Sequence, residues 1–284
     1  MELAQVIAAR LEDAEEPAAA AVTLFDHGDS RSQVSAYYTK KPARPRLLEL
    51  LRDTGAAGLD DLSIEPIPDR NWVAEAESLR PPVRAGRFLV HGSHDRRRVA
   101  RGRHAIEIDA SLAFGTAHHP TTKGCLLALD KLLKARRPKV VLDAGTGSGI
   151  LAIAAAKALR AAVLASDNDP VAVAIAAGNA KKNGVAARLR VVRSEGLAHA
   201  HLRGRKADLL FANLLLRPLL ELAPDFARAL RPGGTAVLSG ILSSQSPKVE
   251  ARYRASGFVL ESRIVLDGWT TVIMSRRSDR AVSD

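Results

Sequence analysis

The sequence predicts an α/β protein with a mostly parallel sheet flanked by helices, preceded by a small α+β module. Three observations carry this reading. From about residue 119, short apolar runs alternate with helical patterns, which implies βαβ units. The run KVVLDA passes through the glycine turn GTGSG (145–149) into the alanine-rich SGILAIAAAKAL, a strand–turn–helix sequence. The closing FVLESRIVLDGWTTVIMS reads as two strands around Asp267-Gly268, so an antiparallel pair finishes the sheet.

Taken in order, residues 3–14 are helical in pattern, and AVTLFD and SQVSAYYT form two strands around the polar turn HGDSR. RPRLLELLRDTG has apolar positions at helical spacing and a terminal glycine, and LSIEPIP follows as a strand. These elements make an α+β module over residues 1–70 with no catalytic constellation, suited to recognition. Asn71-Trp72 and ESLRPPVRAG open a connector, and RFLV and HAIEID are expected as arms of a hairpin, giving a second segment over 71–110. The third, 111–284, begins with the helix PTTKGCLLALDKLLKA. It continues through KVVLDA, SGILAIAAAKAL, AVLASD, PVAVAIAAGNAKKNG, RLRVVRS, ADLLFANLL and TAVLSGIL.

Composition narrows the classes. Of 284 residues, 46% are hydrophobic, enough for a core, and no apolar stretch reaches membrane-spanning length. The acidic, helical start MELAQVIAARLEDAEEP lacks the features of a signal peptide, so a cytoplasmic protein is expected. A single cysteine, Cys125, excludes a disulfide framework and a CxxC metal site, and reads as a core thiol. The net charge is +11, and Arg96, Arg97, Arg98, Arg101 and Arg103 fall in one polar stretch. That stretch is either a contact for RNA phosphates or an acidic partner, or a solvated turn. No aromatic residue interrupts it to offer a stacking surface.

The glycine turn admits several ligands, and its surroundings discriminate among them. A nucleotide-triphosphate loop needs a lysine after its glycines, which this chain lacks. A dinucleotide fingerprint needs glycine where Ile150 stands. Asp167 ends AVLASD about twenty residues past Gly145, where an acid accepts hydrogen bonds from ribose hydroxyls. Asp169 is the better cap for the helix beginning near Pro170. Asp143, just before the loop, disfavours a pyrophosphate but suits loop organisation and an ammonium group. Gly145, Gly147, Asp167, then Asn213 after a buried strand, then RPGG match a Class I (Rossmann-like) methyltransferase better than a dehydrogenase. The expected cofactor is S-adenosylmethionine.

AFGTAHHPTTKGCL, LDAGTGSGILAIAAAK, SDNDPVAV and FANLLLRPL together closely resemble the PrmA family, over roughly residues 71–275. The resemblance implies methylation of amino groups on protein eleven of the large ribosomal subunit. It also implies cofactor contacts at Thr122, Gly145, Asp167 and Asn213. Ala117 stands where the family commonly has glycine, and Thr146 where cysteine is frequent. A lysine methyltransferase of another protein, such as an electron-transfer flavoprotein subunit, is the nearest alternative. A non-catalytic RNA-binding protein on the same fold is the more distant one.

The residues support this chemistry directly. A lysine amine must lose its proton before it attacks a methyl group, since its reference pKa is near 10.4. A cationic cofactor and a desolvated cleft both favour that loss. No strong base is needed, and Asn213, the expected catalytic residue, supplies an acceptor that aligns the nitrogen. NLLL lacks the proline and aromatic ring that clamp planar nitrogens, which favours an aliphatic amine. His118 and His119 are adjacent and lack metal-ligand spacing, so no metal is expected and a role in shaping the cleft is preferred.

Overall fold

The computed structural model describes residues 2–14, 16–26, 32–55, 62–66, 81–99, 102, 104–109, 118–159, 161–199, 204 and 206–278. The chain divides into two compact units, residues 1–70 and 71–284. In the first, α1 (Glu2–Glu12), β1 (Ala21–Asp26), β2 (Ser32–Tyr37) and α2 (Arg44–Leu51) follow one another. β1 and β2 pair antiparallel, Ala21 opposite Tyr37. Leu11, Leu47 and Leu51 form a small core, against which Leu62 and Ile64 pack. Residues 62–66 are not in a strand, contrary to the reading of LSIEPIP. The two apolar side chains reach the core from irregular backbone, so alternation of apolar residues arose there without a ladder.

The second unit opens with β3 (Val83–Ala85), β4 (Phe88–His91) and β5 (Ala105–Glu107). The expected RFLV–HAIEID hairpin is not formed. β4 makes its hairpin with β3 around Gly86-Arg87 and pairs with β5 in parallel. Gly86 permits that tight turn with φ +59°, which L side chains rarely adopt. Asn71-Trp72, the start of the connector, Arg101, Arg103 and Ala117 lie outside the described residues.

The remaining elements are α3 (Pro120–Ala135), β6 (Val140–Ala144), α4 (Ile150–Ala158), β7 (Ala162–Asp167), α5 (Pro170–Lys182) and β8 (Leu189–Arg193). They continue through β9 (Ala207–Asn213), α6 (Leu216–Ala229), β10 (Leu230–Leu242), α7 (Ser246–Ala255), β11 (Phe258–Leu266) and β12 (Trp269–Arg276). The seven-stranded sheet has the order β11-β12-β10-β9-β6-β7-β8. β12 is antiparallel to both neighbours, and the pairs from β10 to β8 are parallel. The reversed strand is therefore inserted between β10 and β11.

Strand composition explains the layers. β9 reads ADLLFAN, with Leu209 and Phe211 in the core on one face and Leu210 and Ala212 in the core on the other. A strand covered on both sides is apolar at successive positions, because neighbouring side chains point to opposite faces. Leu126 and Leu129 of α3, Ile153 of α4, and Phe88 and Ile106 of the small sheet fill the first face. Leu219 and Phe226 of α6, with Tyr253 of α7, fill the second. Truncating a fully buried ring such as Phe226 to alanine costs about 3–5 kcal/mol. RPGG lies within β10, and pairing with β9 breaks register between Leu230 and Thr235. Among the described residues no helix is long and apolar enough to cross a membrane.

Candidate active site

Strand order reverses beside β6: β7 and β8 lie on one side, β9 and β10 on the other. A crevice opens beyond the carboxyl ends of the strands at such a switch point. Register aligns what borders it. Ala144 is opposite both Ser166 and Ala212, and Ser239 is opposite Asn213. The next residues along β6, β7 and β9 are Gly145, Asp167 and Asn213, so three distant sequence motifs end side by side.

The glycine loop is held by its neighbours. Gly145 and Thr146 donate backbone N–H groups to Ser166 O at 2.8 and 2.9 Å, and Gly147 donates to Asp167 Oδ2 at 2.9 Å. A loop that cradles phosphate must keep such N–H groups free. Here three successive ones are committed to protein acceptors. Gly145 has φ +71°, and a Cβ on it would lie 2.2 Å from Leu214 Cδ2. Gly240 is more confined, because a Cβ there would lie 2.3 Å from Leu214 O, a backbone atom. Leu214 thus packs between two glycines and fixes the chain just after Asn213.

Asp143 lies under the loop, almost fully buried. Its Oδ2 accepts from Thr146 Oγ1 at 2.7 Å and from Ala152 N at 3.1 Å. Its Oδ1 is buried without a hydrogen-bond partner. Burial pushes the carboxyl up to about 6, and the charge of Asp167 adds to the rise. Thr146 thus supplies a hydroxyl that bonds this acid. Asp167 Oδ1 also accepts from Asp169 N at 3.1 Å, while Asp169 caps α5 by accepting from Val171 N at 2.8 Å.

Across the crevice, Asn213 Nδ2 donates to Thr122 Oγ1 at 3.4 Å. Thr122 is wholly buried in the first turn of α3. Tethering the amide nitrogen leaves Asn213 Oδ1 as the unengaged atom, and it too is buried without a partner. His119 caps α3, accepting from Thr121 N, and its ring meets Trp269 edge-on with centroids 4.9 Å apart. His118 Nε2 is 3.0 Å from Pro81 O. Leu215, next but one to Asn213, is 74% exposed at the rim.

Sequence reasoning missed the support behind these residues. Ser239 Oγ lies 2.8 Å from Thr271 Oγ1 and donates to Thr121 O at 3.4 Å, joining β10, β12 and α3. Gly124 is required there, since a Cβ would lie 2.2 Å from Thr271 Oγ1. The Ser-Gly pair ending a buried strand in LSGIL was the available signal. Cys125 packs in the same layer, and burial pushes its thiol up to about 12, which fits an unreactive core residue. Arg96 and Arg98 of the 96–103 stretch have partners of their own. Arg96 forms a two-pronged pair with Glu107, and Arg98 lies 3.8 Å from Asp95.

A seven-stranded sheet with one reversed strand, carrying a phosphate-averse glycine loop, an acid on the second strand and an asparagine on the fourth, defines a Class I methyltransferase. The family described as ribosomal protein L11 methyltransferase (PrmA) matches residues 4–277. The chain belongs to that family. A ribosomal protein L11 methyltransferase of Bradyrhizobium diazoefficiens is 46% identical over 259 residues, covering 90% of this chain and 88% of the relative. One from Rhodopseudomonas palustris is 42% identical over 258 residues, with the same coverage. A solved ribosomal protein L11 methylase from Lactobacillus delbrueckii subsp. bulgaricus is 29% identical, with a TM-score of 0.61. It covers 69% of this chain and 98% of its own.

Proposed function

We propose that the chain methylates aliphatic amines of ribosomal protein L11, the lysine ε-amines or the terminal α-amine, using S-adenosylmethionine. The observation that carries this reading is the Asn213 amide, anchored through Nδ2 to Thr122 and with Oδ1 left as a buried acceptor beside the glycine loop. A neutral amine has N–H groups to donate to such an oxygen, and its lone pair then points away from it. The names of the relatives favour a ribosomal acceptor over an electron-transfer flavoprotein subunit.

The residues present fit the cofactor. Asp143 Oδ1 is a buried anionic acceptor without a protein donor, suited to the ammonium of the methionine moiety. Asp167, with each oxygen accepting one backbone N–H, retains lone pairs for ribose hydroxyls. Gly145 and Gly147 offer bare backbone, and Thr122 fixes the amide of Asn213. When bound, S-adenosylmethionine supplies an electrophilic methyl group on a sulfonium. Asn213 Oδ1 orients the acceptor nitrogen, and water takes the proton the amine gives up. Orientation supplies most of the acceleration.

Residues 1–70 form their own core and contain none of these groups, which supports a docking role for them. The test is methyl transfer to purified L11 by wild-type and Asn213→Ala enzyme. Transfer to amines that falls by roughly 10²-fold in the variant is expected. Equal rates would remove Asn213 from the mechanism.

A further inference from the structure

We infer that the amino-terminal edge of the large sheet, opposite the methyl-transfer crevice, is a phosphate-binding site for the backbone of structured RNA. A pocket of about 280 Å³ opens there between the end of α3 and the starts of β6, β9 and β10. Its charged lining is Arg136, Arg137, Lys139, Asp208 and Arg231. Asp208 is already committed. It accepts from the backbone N–H groups of Lys139 and Val140 and pairs with Arg231 at 3.0 Å. Arg136 is held by Glu261 at 2.9 Å and Thr235 Oγ1 at 2.6 Å. Arg137 bonds only backbone carbonyls, those of Leu133 and Arg136, and Lys139 has no carboxylate partner among the described residues.

Among the described residues the pocket therefore holds four cations and one carboxylate, with two exposed cations that have no carboxylate partner there. The register break between Leu230 and Thr235 forms its far wall, where Arg231, Pro232 and Gly233 stand out from the sheet. Among the described residues the lining contains no aromatic side chain on which an unpaired base could stack. None of the exposed large apolar side chains lines it, so it also lacks the apolar centre of a protein interface. Fixed guanidinium groups with a free ammonium suit phosphate oxygens. Phosphate contacts of this kind position a protein on a duplex without reading its sequence. The net charge of +11 adds a general attraction. β9 spans seven residues, so roughly 20 Å of strand separates this edge from Asn213.

The experiment measures binding of the full chain to a fluorescein-labelled RNA duplex of mixed sequence, by anisotropy, between about 50 and 200 mM salt. The Arg137→Gln/Lys139→Gln double variant is expected to bind about tenfold more weakly, with a salt slope smaller by about two. An Arg97→Gln/Arg98→Gln control should bind like wild type, and methylation of free L11 should be unchanged in both. In wild type, duplex RNA should slow amide exchange over residues 231–235, a readout that requires no variant to fold. Equal RNA affinity in the first variant, loss only in the control, binding of inorganic phosphate without RNA, or no protection at 231–235 would each overturn the inference. Loss of methylation with RNA binding intact would instead count against the proposed enzyme function.

Discussion

Asn213 and Thr122 work as a pair at the scale of single residues. The threonine hydroxyl accepts from Nδ2 and so determines which end of the amide faces the crevice. Thr122→Val, which keeps the shape and removes the acceptor, should lower kcat about tenfold through misorientation. Thr122→Ser should restore most of it, and steady-state kinetics of the three enzymes decide. Asp143 gives a prediction in pH. Its folded pKa of about 6 lies above the usual carboxylate value, so the folded state binds more protons between about pH 4 and 6. Stability from this group is present at low pH and is lost as pH rises through 6, by roughly 3 kcal/mol in all. Denaturant unfolding of wild type and Asp143→Asn should thus diverge with pH, the wild type gaining relative stability at pH 4. A pH-independent difference would show that the carboxyl titrates normally. Cofactor binding should strengthen as pH rises through 6 in wild type only.

Among the elements, the turns around Leu214 are tightly constrained. Gly145 and Gly240 both approach Leu214, but they meet different atoms. A methyl at 145 meets the end of a leucine side chain, which can rotate away, while one at 240 meets backbone. Both positions have positive φ, which costs an L residue roughly 1–2 kcal/mol. Gly240→Ala should therefore lower the melting temperature more than Gly145→Ala, whose main effect should be weaker cofactor binding. Calorimetry of the two variants checks the order. These elements also show what the sequence could reveal. The glycine loop, Asp167 and Asn213 were legible because each ends a strand of evident apolar pattern. The parallel pairing of β4 with β5 was not, since two short apolar runs look alike whether they meet through a hairpin or a crossover. Leu62 and Ile64 misled in a related way, because alternation reports burial of alternate side chains and not the hydrogen bonds of a ladder. The Ser239–Thr271–Thr121 link was harder to read, since Ser-Gly in LSGIL marks one end only and its partners lie 32 and 118 positions away.

Over the whole molecule, the division into two compact units separates cofactor chemistry from the first seventy residues. A truncated chain of residues 71–284 should bind S-adenosylmethionine as tightly as the full chain yet methylate L11 much more slowly. Titration calorimetry with a radiolabel assay on the same sample tests both halves, and full-rate methylation by the truncated chain would refute the docking role. The identity of the atom that receives the methyl group is open to direct measurement. Purified L11 should be incubated with the full enzyme and isotopically labelled S-adenosylmethionine, and the modified positions located by tandem mass spectrometry. Labelled methyl groups on lysine ε-amines or the terminal α-amine, accumulating faster as pH rises across the neutral range, are the predicted result. Label on glutamine, on a carboxylate or on RNA would contradict it.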